Sequence, residues 1–147
     1  MSKKIVIGSD HGGFALKEVI VKELQAKGVE VIDEGPDSTA SCDYPVFAQK
    51  VCEKVLAEDG ALGILICGTG LGMSMAANRQ AGIRAAMCTN EYMASMCRAH
   101  NNANVLCMGE RVIGPGLAMN IVDTYLNTEF EGDRHQRRID LFDKINA

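Results

Sequence analysis

Gly63-Ile64-Leu65-Ile66-Cys67-Gly68-Thr69-Gly70-Leu71-Gly72-Met73 is a short apolar run that ends in a cysteine and is followed by three glycines at alternate positions. The run is apolar on both faces and too short for a helix, so it reads as a buried strand of a parallel sheet. Glycines at every second position let backbone N–H groups turn inward and approach an anion with no Cβ in the way. A helix starting just beyond them would add the positive end of its dipole. The segment therefore sets a candidate reactive thiol beside a cradle for an oxyanion or a phosphate.

Strand-like and helical runs alternate on both sides of this segment. Ile5-Val6-Ile7 reads as the first strand, and Phe14, Leu16, Val19, Ile20 and Leu24 mark a helix over residues 14–27 that Gly28 ends as a left-handed cap. Residues 29–32 form a second strand, and residues 34–43 a polar loop. Pro45 suits the first turn of a helix over 44–58. Strands over 62–66, 83–87 and 105–108 then alternate with helices over 73–79, 91–99 and 116–126. Five such units predict an α/β fold, a parallel sheet sandwiched by helices. Ligands of such sheets bind beyond the carboxyl ends of the strands, near a topological switch point. Past residue 127 the chain turns basic, at Arg134, His135, Arg137 and Arg138. Ile139, Leu141, Phe142 and Ile145 then make a short amphipathic helix, of the kind that docks on a second subunit.

Composition narrows the class. A chain of 147 residues, 47% hydrophobic and 23% charged, reads as one domain, 1–147, able to bury a core unaided. A net charge of −4 argues against nonspecific binding to nucleic acid or a membrane surface. No stretch is long and apolar enough to span a bilayer, and the first apolar run is too short for a signal peptide, which points to the cytoplasm. The six cysteines form no C-x-x-C pair and read as reduced thiols, mostly small core residues. His11, His100 and His135 are dispersed without ligand spacing, so no metal is expected.

Each candidate has a bland alternative. Cys67 could be an ordinary strand-end core thiol, but its place before the glycines favours a chemical role. A dinucleotide fingerprint would need glycine where Met73 stands, and no Gly-Lys-Ser/Thr follows to make a P-loop. Asp10 could simply cap the helix beginning near residue 13, although His11 beside it at the sheet's ligand edge favours binding. His100, in His100-Asn101-Asn102, is by itself an ordinary loop histidine. Tyr44 reads first as a helix-start packing residue that could also line the site. Arg111, Arg134, Arg137 and Arg138 could be ordinary surface charge, yet arginine suits bidentate phosphate recognition, and basic clustering stands out in an acidic chain. A base, fixed backbone donors, an acid/base histidine and arginines together fit proton abstraction beside a carbonyl, as in aldose–ketose interconversion of a sugar phosphate, which needs no cofactor.

Gly8-Ser9-Asp10-His11-Gly12-Gly13-Phe14, Asp43-Tyr44-Pro45, Ile66-Cys67-Gly68-Thr69-Gly70-Leu71-Gly72, Ala76-Ala77-Asn78-Arg79, Gly82-Ile83-Arg84-Ala85, His100-Asn101, Asn104-Val105-Leu106 and Arg134-His135-Gln136-Arg137-Arg138 together resemble the ribose-5-phosphate isomerase B family, over nearly the whole chain. That family includes allose- and galactose-6-phosphate isomerases. The resemblance implies a Rossmann-like α/β/α sandwich with no cofactor or metal, interconverting ribose 5-phosphate and ribulose 5-phosphate. It further implies a homodimer or dimer of dimers, with sites between subunits and the tail over 128–147 on the partner. It makes Cys67 the general base, Gly68, Thr69, Gly70, Leu71 and Gly72 the anion hole, and Thr69 an orienter of substrate hydroxyls. His100 would open the furanose ring with help from Asp10. Asn101, His11, Tyr44, Arg111, Arg134 and Arg138 would contact substrate, the arginines at the phosphate. A second version of the family uses a glutamate base at the position of Met73, so this chain resembles the cysteine version. A six-carbon sugar phosphate is the nearest alternative substrate, and a nucleotide-binding module of stress-protein type the alternative of another class.

Overall fold

The computed structural model describes residues 3–145. Five strands and six α-helices alternate: β1 (Lys4–Ser9), α1 (Phe14–Ala26), β2 (Glu30–Asp33), α2 (Tyr44–Ala57), β3 (Leu62–Cys67), α3 (Leu71–Ala77), β4 (Ala85–Met87), α4 (Glu91–Ala99), β5 (Val105–Gly109), α5 (Pro115–Asn127) and α6 (Arg134–Asp143). A single 3-10 turn, His11–Gly13, joins β1 to α1. The sheet is wholly parallel with order β2-β1-β3-β5-β4, so β3 is its centre.

Burial on both faces is why the run before Cys67 has no polar alternation. Ile64 and Ile66 face a core built with Leu16, Ile20 and Leu24 of α1, Ala94 of α4, and Ile121 and Val122 of α5. Leu65 and Cys67 face the opposite core, with Val51 and Val55 of α2 and Met73 and Ala77 of α3. Ile64, Leu65 and Ile66 are wholly inaccessible, each contributing about 1.5–3 kcal/mol of burial. The result is the expected three-layer α/β/α sandwich. Among the described residues no helix is long and apolar enough to cross a membrane.

Several boundaries differ from the sequence reading, and three of the differences have a clear physical reason. Helix α3 starts at Leu71 rather than Met73, because Gly70 takes a left-handed conformation (φ +85°) that turns the chain into the helix without a spacer. Strand β4 starts at Ala85 rather than Ile83, since Asn104 Oδ1 takes the Arg84 N–H at 2.7 Å and delays ladder pairing. Helix α6 starts at Arg134, where the exposed basic turn carries no apolar periodicity. The tail is described as far as Ile145; its last two residues lie outside the described range. All six cysteines are free thiols, and all but Cys42 are buried.

Candidate active site

Strand order reverses direction between β1 and β3, and their carboxyl ends are tied there by an Asp10 N–H donated to the Ile66 carbonyl at 3.1 Å. Gly13 closes the turn against that same carbonyl. A Cβ on Gly13 would lie 2.5 Å from the Ile66 oxygen, so no larger residue fits. Asp10, almost fully buried, accepts the Gly12 N–H at 2.9 Å and the Gly13 N–H at 3.2 Å through Oδ1. Its capping role is therefore real, and it shapes the floor of the cleft.

Cys67 ends β3 with its sulfur 3.1 Å from the Gly70 nitrogen, whose N–H it accepts. This donor faces any negative charge that develops on the sulfur. Gly70 passes so close over β5 that a Cβ would lie 2.9 Å from the Met108 carbonyl carbon. The Leu71 N–H is taken by Thr69 Oγ1 at 3.2 Å. Among the described residues no acceptor takes the Gly68 or Thr69 N–H, which leaves two backbone donors beside the thiol. Met73, where a glutamate base would stand, is wholly buried against the sheet and has no proton to exchange.

Three side chains frame this cradle. The Arg111 guanidinium lies flat on two glycines, with Nη1 3.0 Å from where a Cβ of Gly68 would be and Nη2 3.6 Å from that of Gly12. It forms no ion pair among the described residues, so its charge is available to an anion. Tyr44, at the start of α2, lays its ring on Gly72, where a Cβ would come within 2.8 Å of Cε1. The Cys42 backbone N–H is donated to His11 Nδ1 at 3.3 Å, which leaves the proton of the neutral ring on Nε2. The fold thus gathers Asp10, His11, Tyr44, Cys67, the glycine loop and Arg111 at one sheet edge.

His100, Asn101, Arg134 and Arg138 are not brought there by the same chain. Helix α4 runs antiparallel to the strands, so His100 at its end lies at the amino edge of the sheet. The length of β5, about 13 Å at a strand's rise, separates that edge from the thiol. The Glu131 N–H is donated to the Ala99 carbonyl at 3.0 Å and draws the tail onto this corner. His100 and His135 stack there, centroids 4.1 Å apart and planes 14° from parallel. Glu131 Oε1 lies 3.9 Å from His100 Nε2 and 3.5 Å from His135 Nε2. Burial first, then the neighbouring His100 and Arg134, hold His135 below the usual imidazole range. Arg134 and Arg138 form no ion pair among the described residues. Asn101 lines an open concavity of about 750 Å³ with Arg84, Phe142 and Asp143. Glu131 and His135 are the residues sequence reasoning missed. Two histidines judged dispersed are stacked, because tertiary contact rather than local spacing pairs them.

A thiol with backbone donors at the switch point of a parallel sheet, flanked by a histidine and by an arginine without an ion pair, defines an anion-binding α/β protein equipped for proton transfer. The chain belongs to the ribose/galactose isomerase family, whose model matches residues 5–142. It is 50% identical to ribose-5-phosphate isomerase B of Escherichia coli over 143 residues, 97% of this chain and 96% of that one. The solved ribose-5-phosphate isomerase B of Clostridium thermocellum is 55% identical with a TM-score of 0.95, covering 97% of each chain. That of Mycoplasma genitalium, solved with bound ribulose 5-phosphate, is 46% identical with a TM-score of 0.93, covering 99% of this chain and 97% of that one.

Proposed function

We propose that this protein is a cofactor-independent aldose–ketose isomerase that interconverts ribose 5-phosphate and ribulose 5-phosphate in the cytoplasm, as a single catalytic domain. The observation that carries the reading is Cys67 Sγ held 3.1 Å from the Gly70 N–H beside the open Gly68 and Thr69 donors. The Cys67 thiolate removes the C2 proton of the open-chain aldose. Negative charge passes to O1 and is met by the backbone donors of the loop, which are fixed before the reaction and need no reorganisation. The O2 hydroxyl proton passes to O1, and the thiol returns its own proton to C1 of the enediolate as O2 becomes the ketone oxygen. Thr69 orients the hydroxyls, His11 and Arg111 hold the phosphate end from one chain, and Tyr44 walls the cleft.

The remaining parts come from a second copy of the chain. Its His100 opens the furanose with Asp10 at hand, Asn101 binds the sugar, and Arg134 and Arg138 complete the phosphate site. Two features support this assembly. Unpaired arginines stand far from the thiol on their own chain, and exposed apolar side chains (Leu71 and Met75 near the loop, Leu141, Phe142 and Ile145 in the tail) call for cover.

Chemistry and assembly are tested separately. Cys67→Ala is expected to lower kcat by about 10²–10⁴-fold, the usual worth of a positioned base, with substrate binding kept. Near-normal turnover, or no exchange of the C2 proton with solvent in the unaltered enzyme, would refute the isomerase mechanism. Mixing Cys67→Ala and His100→Asn chains tests the shared site. In a two-fold dimer half the mixed assemblies are heterodimers with one intact site of two, so about a quarter of full activity returns. No recovery after verified exchange of subunits would mean that each chain works alone.

A further inference from the structure

We infer that His100, Glu131 and His135 form a binding site for a divalent cation of the zinc class, at the opposite edge of the sheet from the thiol cradle of the same chain. Three donors lie close together at this corner: Nε2 of each histidine and a Glu131 carboxylate oxygen, all within 4.8 Å of one another. The two nitrogen-to-oxygen separations, 3.5 and 3.9 Å, approach the edge of a ligand tetrahedron, about 3.4 Å for bonds near 2.1 Å. A second, independent observation comes from His135. Its side chain is 93% buried by exposure of 7%, yet its Nε2 has no hydrogen-bond partner. A buried ring nitrogen normally finds one, and leaving it unpaired costs free energy that a metal bond would recover.

The donor set is also right for the ion. Neutral imidazoles with one carboxylate suit zinc and its neighbours rather than calcium or magnesium, which prefer oxygen. The stacked rings do not yet point their lone pairs at one position. His135 is fixed by burial, so coordination requires His100, 39% exposed, to leave the stack and turn its ring toward the shared point. Three protein ligands leave one position for water, an open site. Where the two-chain reading of the active site holds, the ion occupies the ring-opening histidine and acts as an inhibitor of the aldose direction.

Binding is measured on the full-length chain without reference to activity, by calorimetry with Zn²⁺ and by the visible absorption of Co²⁺. One ion per chain is expected, with tetrahedral d–d bands and no thiolate charge-transfer band, since no sulfur is among the donors. His135→Gln and Glu131→Gln, each checked for fold by circular dichroism, are each expected to weaken binding by more than about tenfold. Absence of saturable binding overturns the proposal. So does a thiolate band, which would assign the metal to a cysteine, or affinity unchanged in both variants, which would place the metal on other donors. Activity is then assayed with Zn²⁺. Inhibition that is lost with His135→Gln is the expected result, whereas binding without inhibition would count against His100 in ring opening and leave the metal site standing.

Discussion

Gly70→Ala and Gly28→Ala form a pair that separates two reasons for glycine in this fold. Both residues are left-handed, at φ +85° and +79°. A Cβ on Gly28, the cap of α1, meets nothing within 4 Å, while one on Gly70 meets the Met108 carbonyl carbon at 2.9 Å and Met87 Cγ at 3.0 Å. Strain from the left-handed conformation costs about 1–2 kcal/mol in each variant, partly offset by about 0.4–1 kcal/mol from the lower entropy of the unfolded chain. These terms are common to both and cancel in the comparison. Gly70→Ala bears in addition an overlap with backbone that cannot step aside, about 1–3 kcal/mol by the usual cost of overpacking.

Denaturant unfolding at one fixed chain concentration measures the difference, because an assembling protein gains apparent stability with concentration. Gly70→Ala is expected to fall below Gly28→Ala by that 1–3 kcal/mol at unchanged m-value, a drop of several degrees in Tm. The kinetic split should be sharper still. Pushing the loop off β5 moves the Gly70 N–H away from the Cys67 sulfur, and loss of one preorganised donor costs about 10²–10³-fold in kcat. Gly28→Ala should leave kcat alone, being remote from the cradle. Equal destabilisation of the two variants, or a Gly70→Ala enzyme with full turnover, would refute the claim that the loop's contact with β5 sets the donor geometry.

Arg138→Ala should raise KM by roughly 10–100-fold with kcat nearly kept, as expected for one charge-assisted bond to a phosphate; an unchanged KM removes it from the site. His100→Asn should abolish turnover of the ring-closed aldose phosphate while open-chain substrate still reacts, and equal losses on both forms would speak against ring opening. Burial first and Glu53 second push the Cys52 thiol up to about 11. Because its folded pKa is raised, its contribution is complete below the ordinary thiol pKa and is lost as pH rises through about 11, so urea midpoints should fall over that alkaline range and fall less in Cys52→Ala. At neutral pH the same shift makes Cys52 inert to alkylating reagents, and rapid labelling of Cys52 in the folded protein would contradict it.

The fold was legible because β3 is buried on both faces, which removes every polar residue from its run and leaves length and flanking glycines to identify it. Two of the boundaries that slipped depend on groups remote in sequence. Arg84 stays out of β4 because Asn104 takes its N–H, and Leu71 enters α3 because Gly70 turns over β5. The thiol half of the site was likewise legible, since Asp10, His11, Cys67, the glycines and Arg111 all follow strand ends and parallel strands deliver their carboxyl ends to one edge. Family resemblance added His100, Asn101, Arg134 and Arg138, yet no local pattern places them.

Topology settles where those four residues go and thereby limits what one chain can do. A helix returning from β4 must end at the sheet's amino edge, so His100 is carried away from Cys67 by the same alternation that brings Asp10 to it. Lengthening the α4–β5 connection would not help, because the sheet itself stands between the two edges. On the proposed mechanism Cys67 and His100 act on one substrate, and they would meet where the amino-edge corner of one copy lies on the carboxyl-edge cleft of another. Under two-fold symmetry each contact would occur twice, and in the proposed assembly the exposed arginines of α6 and the unpaired Arg111 would converge from two chains on one dianion. Like charges that would repel in an empty interface then become complementary when phosphate is bound. Substrate should therefore tighten the assembly, and a dimer dissociation constant that fails to fall when sugar phosphate is added would break this link between topology and catalysis.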